Sequence, residues 1–173
     1  MMRLYIAGPD VFHPQAQQLG EGKKALCAEF GFEGVFPFDN GVEITGENSF
    51  REGVAIYQGN CHLMEGCQLM IANMTPFRGI GMDNGTAFEM GYMQARGARL
   101  FGYTLCEALY EARANTANAG RDADGMAVEG FEMVDNLMMV GALEAPVVIV
   151  PADPMSVPAH LEAFKQVLAS IRQ

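Results

Sequence analysis

The chain has 173 residues and half of them are hydrophobic, which is enough for one domain with a sizeable core. Its formal net charge of −10 argues against a nucleic-acid polymer or an anionic membrane as partner, because both require a basic face. A neutral or cationic small molecule is compatible with this charge.

Short apolar runs alternate with stretches of helical periodicity along the chain. The predicted strands cover 3–8, 34–40, 67–74, 98–104 and 145–150, and the predicted helices cover 14–32, 49–66, 85–96 and 158–172. Such alternation produces parallel βαβ units, so we predict an α/β fold with a doubly wound five-stranded sheet and helices on both faces, as a single domain over 1–173. Ligands of such sheets bind outside the carboxyl ends of the strands, where this chain carries the loops "AGPD", "PFDN" and "ANMTPFRG".

Two later segments are harder to assign. Residues 111–130 are rich in Ala, Asn, Asp and Gly, which predicts a long loop that acts as a mobile lid or a surface flap. Residues 131–143, "FEMVDNLMMVGAL", are apolar nearly all round, so we predict a helix covered on more than one face. A second chain would cover one of these faces, unless the helix is buried wholly inside one domain.

No apolar run is long enough to predict a transmembrane helix, and the stretch "MMRLYIAGPD" lacks the layout of a signal peptide. The four cysteines fit neither a zinc site nor a secreted disulfide framework, and the three histidines show no metal-ligand spacing. We therefore expect a cytoplasmic protein with reduced thiols, no metal and no cofactor.

Two carboxylates flank a glycine turn in "MDNGTAFEMGY", which leads from the loop after the third strand into a helix. We expect Asn84 to cap this helix, with Asp83 just before it and Glu89 in its second turn. The helix N-terminus should favour ionised Glu89, a competent nucleophile, while Asp83 could donate a proton or bind a sugar hydroxyl, as in retaining glycosidic chemistry. The same spacing is also typical of a solvated glutamate beside a helix-capping aspartate. A phosphate loop is disfavoured, because the segment lacks G-x-x-x-x-G-K-[ST].

Five pieces of the sequence carry a resemblance to a known family: "LYIAGPDVF", "PFDN", "ANMTPFRG", "MDNGTAFEMGY" and "VEGFEMVDNLMM". In this order, over residues 3–143, they resemble the nucleoside 2-deoxyribosyltransferase family. The resemblance implies a flavodoxin-like sheet, a covalent deoxyribosyl-enzyme intermediate, deoxynucleosides and free bases as ligands, and a homo-oligomer. It also implies that Glu89 is the nucleophile, that Asp83 is the catalytic-site aspartate, and that Asn136 reaches the sugar 5′-hydroxyl of a neighbouring subunit.

The resemblance further assigns a substrate-binding set. It places Tyr5 on the first strand, Gly8 and the pocket-wall aromatic Phe12 on the first loop, and a base-contacting Asn60 on the helix before the third strand. One departure is Gln68, where the family often has an aspartate. We expect this position to be structural, so that the departure alters a local hydrogen bond more than the chemistry.

Two alternatives to a base-exchanging transferase stay open. A hydrolase of deoxynucleoside 5′-monophosphates on the same fold would need groups that bind phosphate, which Arg51 or Arg78 could supply. A non-catalytic nucleoside-binding module would keep Phe12 and Asn60, but it has no reason to keep the two carboxylates together.

Overall fold

A computed structural model describes residues 1–43, 45–114 and 120–171. The strands are β1 (Met2–Ala7), β2 (Phe32–Val35), β3 (Leu69–Asn73), β4 (Arg99–Thr104) and β5 (Val148–Ile149). The helices are α1 (Ala16–Glu29), α2 (Phe50–Glu65), α3 (Asn84–Ala95), α4 (Tyr110–Arg113), α5 (Leu137–Val140) and α6 (Val157–Ser170). Two 3-10 turns, turn 1 (Pro9–Phe12) and turn 2 (Pro37–Asn40), follow β1 and β2.

The five strands form one parallel sheet in the order β2-β1-β3-β4-β5, which confirms the predicted fold class. Every residue of β3 is buried, as expected for a central strand of a sheet that is covered on both faces. In the sheet, β2 lies on one side of β1 and β3 lies on the other, so the strand order reverses direction at β1. The loops after β1 and β3 therefore diverge, and a cleft opens between them at the carboxyl edge.

Each face of the sheet has its own layer of core side chains, because successive residues of a strand point to opposite faces. Leu4 and Ile6 face a layer formed with α1 and α6, which contributes Phe164. Tyr5 and Ala7 face the other layer, which is rich in methionines from α2 and α3. Unbranched methionine side chains adapt to irregular gaps, which accounts for much of the high methionine content.

Three predicted elements differ from the structure. The second strand ends at Val35 and turn 2 follows, because Pro37 has no N–H to donate to a sheet. The last strand contains only Val148–Ile149 instead of 145–150, between prolines at 146 and 151. The predicted helix over 131–143 is wrong, since only α5 is helical there.

Local hydrogen bonds explain why the 131–143 segment is not one helix. Glu132 has a positive φ of 58°, which interrupts helical geometry. Asn136 accepts a hydrogen bond from the Met138 N–H and so starts a new helix at α5. Oδ1 of Asp135 accepts a hydrogen bond from the Asn136 N–H, so a side chain takes the place of a helical backbone acceptor there.

The loop predicted over 111–130 is described only in part. Residues 115–119 lie outside the described residues. Before this gap the chain completes α4, and after it Arg121 and Ala127 form an isolated antiparallel bridge. Whether the segment acts as a lid stays a prediction. Within the described ranges, no helix is long and apolar enough to cross a membrane.

Candidate active site

A cavity of about 440 Å³ lies at the carboxyl edge of the sheet, between turn 1, turn 2, α2 and the start of α3. It is lined by Gly8, Val11, Phe12, Pro37, Phe38, Asn40, Val42, Ile56, Asn60, Asp83, Gly85, Thr86 and Glu89. Five of the seven predicted site residues are in this lining, and a sixth, Tyr5, is hydrogen-bonded to one of them. Its size suits a nucleoside-sized ligand.

Glu89 forms part of the cavity wall from the second turn of α3, as predicted. The fully buried Tyr5 hydroxyl donates a 2.8 Å hydrogen bond to Oε1 of Glu89 and leaves the other oxygen available to a ligand. The pKa of Glu89 is raised to about 7, mainly by burial. The hydrogen bond from Tyr5 opposes this rise, and the negative charge of Asp83 adds to it. We expected the helix N-terminus to favour the ionised form of Glu89, but the net shift of its pKa favours the protonated form.

Asp83, and not Asn84, is the N-cap of α3. Its Oδ2 accepts hydrogen bonds from the Thr86 N–H at 2.8 Å and from the Thr86 hydroxyl at 2.9 Å. Asn84 is the first residue of the helix itself. The cap fixes the aspartate at the cavity, about 1.7 helical turns before Glu89, and both carboxylates line the same space.

Turn 1 forms the opposite wall. Gly8 has φ 155°, and a Cβ there would run into Oδ2 of Asp10 and lie 2.7 Å from Cβ of Asn73, so only glycine fits. Phe12 is 57% exposed and stacks on Phe77, with ring centroids 5.4 Å apart. Phe12 is therefore partly exposed where it lines the cavity, and its ring offers apolar surface to a ligand there.

A buried polar network, which the sequence did not reveal, holds turn 1 in place. The Lys23 ammonium donates to Oδ1 of Asp10 at 2.8 Å and to the Tyr103 hydroxyl at 2.9 Å, with both ion-pair side chains at most 1% exposed. Burial opposes the ionised form of Asp10, but Lys23 holds its pKa below the usual range. Nε2 of His160 faces the Pro154 carbonyl, which can only accept, so Nε2 carries the proton of the ring. Nδ1 of His160 is then an acceptor, and it accepts from the Tyr103 hydroxyl at 3.0 Å.

Asn60 lies at the α2 side of the cavity beside Asn40 of turn 2, a residue that the sequence analysis did not single out. Asn40 Nδ2 donates to Oδ1 of Asn60 at 3.0 Å. Its neighbour Asp39 has the turn role expected of "PFDN": it accepts from the Phe36 N–H and pairs with Lys24. The available signal for Asn40 was a polar residue at the end of the "PFDN" turn, which follows the second strand.

Asn136 is the one predicted site residue that does not reach this cavity in its own chain. It caps α5, and its Nδ2 donates to the carboxylate of Glu129. It lines a separate, more polar cavity of about 420 Å³ together with Arg78 and Asn84. Gln68 is structural, as expected: it accepts from the Arg3 N–H and donates to the Gly66 carbonyl. In the part of the chain that the structure describes, no His, Cys, Asp and Glu side chains form a group of three that could hold a metal ion.

Known proteins match both the sequence and the fold. An uncharacterized protein of Schizosaccharomyces pombe is 30% identical over 97% of this chain and 89% of its own length. The structure of a 2-deoxyribosyltransferase from Leishmania mexicana is similar with a TM-score of 0.70 and 28% identity, over 96% of this chain and 98% of that one.

A 2-deoxyribosyltransferase from Bacillus psychrosaccharolyticus shares the fold with a TM-score of 0.57 at 14% identity, over 83% of this chain and 84% of that one. The family model described as nucleoside 2-deoxyribosyltransferase matches residues 4–138, which include both carboxylates, Tyr5 and Asn60. The chain therefore belongs to the nucleoside 2-deoxyribosyltransferase family.

Proposed function

We propose that this protein exchanges the base of 2′-deoxynucleosides through a covalent deoxyribosyl ester on Glu89. The observation that carries the proposal is the Glu89 carboxylate at the wall of a 440 Å³ cavity, with one oxygen held by Tyr5 and the other available to a ligand. Phe12 and Phe38 provide apolar surface for a base, and Asn60 provides an amide. Family membership supports the same chemistry.

In the first half-reaction, the free oxygen of ionised Glu89 bonds to C1′ while the bond from C1′ to the base nitrogen breaks. The bonding electrons leave with the base, which takes up a proton. Asp83 lines the same cavity and is our candidate for the proton donor, in a reactive state in which Asp83 holds a proton while Glu89 is ionised. Formation of the ester inverts the configuration at C1′.

In the second half-reaction, a nitrogen of another free base attacks C1′ from the opposite side and displaces the Glu89 carboxylate. The incoming base loses a proton, which returns to Asp83. Two inversions restore the original anomeric configuration, as in retaining glycosidic chemistry. Tyr5 keeps its hydrogen bond to Oε1 in both steps and so fixes the direction of attack.

Replacement of the nucleophile tests this assignment. Glu89→Ala is expected to lower base exchange by roughly a thousandfold or more, because no covalent intermediate can form. Glu162→Ala is the matched control, since this exposed glutamate lies on α6, across the sheet from α3. Mass spectrometry of the wild-type protein with a slow donor should find the deoxyribosyl group on the Glu89 peptide. Near-normal exchange by Glu89→Ala would refute the mechanism.

A second candidate is an N-glycosidase that hydrolyses deoxynucleoside 5′-monophosphates. One observation favours it: the Arg78 guanidinium lies 4.8 Å from the ring centroid of Phe12, a cavity residue, and so brings a cation to this region. Release of free base from a 5′-monophosphate without an acceptor base would support the hydrolase. Transfer that requires a second base and ignores the phosphate would support the transferase.

A further inference from the structure

The cavity contains a pair of amides whose orientations are fixed by a backbone N–H. Asn40 and Asn60 both line it, and Asn40 Nδ2 lies 3.0 Å from Oδ1 of Asn60. On its other side, Asn40 Oδ1 accepts a 2.9 Å hydrogen bond from the Val42 N–H. The three groups form a short chain of hydrogen bonds that begins at the main chain.

This chain leaves one consistent assignment of the amide atoms. The Val42 N–H can only donate, so the oxygen of Asn40 must face it. The NH₂ group of Asn40 then faces Asn60 and requires an acceptor, which only Oδ1 of Asn60 can supply. The alternative orientation of Asn60 would place two NH₂ groups against each other. Of the two polar groups of Asn60, Nδ2 is the one that makes no bond to Asn40, so both of its N–H donors remain for a ligand.

The Nδ2 group of Asn60 is open to the cavity. In the described part of the chain, every buried side-chain nitrogen or oxygen has a hydrogen-bond partner. Nδ2 of Asn60 has no such partner among these residues, so it is accessible. Because Asn60 lines the cavity, its two N–H donors are available to the edge of a bound base.

We propose that the Asn40–Asn60 pair makes the site select bases that present an exocyclic oxygen to Asn60 over bases that present an exocyclic amino group to it, a selectivity that presupposes the base exchange proposed above. An oxo group, as in hypoxanthine, accepts from Nδ2. An amino group, as in adenine, brings a donor against a donor, and an N–H of Asn60 left without an acceptor lowers affinity. Asn40 is a positioning residue here, since it acts by orienting Asn60.

A close approach of two chain segments maintains this geometry. Gly59 precedes Asn60 on α2, and a Cβ there would lie 2.9 Å from Val42 Cγ2 and 3.1 Å from Asn40 Cβ. Glycine therefore lets turn 2 and the residues after it pack directly against the helix. The "GN" pair of α2 and the "NGV" after Asp39 are the sequence features that create the amide pair.

Competition between acceptor bases tests the selectivity. Wild-type protein with 2′-deoxyguanosine as donor and equimolar hypoxanthine and adenine should prefer hypoxanthine by about tenfold, the effect of one good hydrogen bond. In Asn40→Asp, the carboxylate accepts from Val42 and also accepts from Nδ2 of Asn60, so Asn60 rotates and presents its oxygen. The preference should invert towards adenine. Asn40→Ala removes the orienting partner, and the ratio should fall towards one.

Two further variants separate orientation from charge. Asn60→Asp places an acceptor against the base directly and should also favour adenine. Asn48→Asp makes the same chemical change at an exposed residue outside the cavity lining and should keep the wild-type ratio. A wild-type ratio in folded Asn40→Asp would overturn the inference, because Asn40 would then not set the amide of Asn60.

A binding measurement separates failure of this inference from failure of the proposed function. Calorimetry with the Glu89→Ala protein gives dissociation constants for hypoxanthine and adenine without any turnover. If the two constants and their change in Asn40→Asp/Glu89→Ala follow the predicted order, the selectivity holds even where no exchange is observed. Equal constants for the two bases in both proteins would overturn it, whatever the activity.

Discussion

At the scale of single residues, the environment of Glu89 predicts the pH dependence of the reaction. Burial raises its pKa to about 7, so the nucleophile is largely protonated in mild acid. We expect kcat/KM for base release to rise about tenfold per pH unit below pH 7 as Glu89 ionises, and to fall again at higher pH, where Asp83 loses the proton that it donates. Tyr5→Phe removes the hydrogen bond that favours the carboxylate, and the midpoint should move to higher pH. A midpoint near the ordinary glutamate value would contradict this environment.

The same shift predicts an effect on stability. The folded-state pKa of Glu89 lies above the ordinary glutamate value of 4.5, so the folded protein binds this proton more tightly than the unfolded chain. Stability is therefore lost as pH rises from about 4.5 to about 7. Glu89→Gln, which can still accept from Tyr5, should be more stable than wild type at pH 8 by on the order of 1–3 kcal/mol. Urea unfolding should show little difference at pH 4, and Glu162→Gln should show none at either pH.

At the scale of elements, we predict that the buried Lys23–Asp10 ion pair stabilises the position of turn 1. Lys23→Met leaves the Asp10 carboxylate buried without its cation, so the free energy of unfolding should fall by about 3–5 kcal/mol. Lys24→Met is a matched control one residue away. Its pair with Asp39 is partly exposed, and its loss should cost about 0–1 kcal/mol.

Denaturant unfolding of both lysine variants measures this difference. In Lys23→Met we also expect weaker base binding, because Asp10 belongs to the turn that carries Phe12 into the cavity. Equal losses of stability in the two variants would contradict the role of the buried pair. Full base affinity in Lys23→Met would show that turn 1 keeps its position without the network.

The elements with strong periodicity were predictable, and those governed by local polar bonds were not. The central strands and α1, α2, α3 and α6 lie within a few residues of the predicted bounds, since their apolar spacing reflects burial. The 131–143 segment has an equally apolar composition. There, Asp135 and Asn136 bond to backbone N–H groups, and this competition cannot be read from hydrophobicity.

At the scale of the whole molecule, the sequence predicts where the site lies better than how it is organised. Strand and helix alternation places the loops after β1 and β3 at one edge, and the carboxylate motif follows β3 directly. The approach of turn 2 to α2 and the burial of Lys23 depend on long-range packing. Neither is visible in local spacing, so Asn40 and the Lys23 network emerge only from the structure.

The surface around Asn136 predicts contact with a second chain. Phe131 and Met138 are 59% and 71% exposed, and Leu137 is also exposed. Apolar side chains clustered beside a polar site residue are typical of an interface. Because Asn136 does not line the cavity of its own chain, we expect a homo-oligomer in which it completes the site of a neighbour, as the family resemblance implies.

Shared sites predict that two inactive variants restore each other. Glu89→Ala chains lack the nucleophile, and Asn136→Ala chains lack the amide that a neighbour would need. In a two-fold pair, a mixed dimer has one site with both residues missing and one site with both present. Random mixing yields half mixed dimers, so activity should recover to about a quarter of the wild-type level per chain after subunit exchange. Mixtures that stay inactive although light scattering shows exchange, or an active monomer, would show that each chain completes its own site.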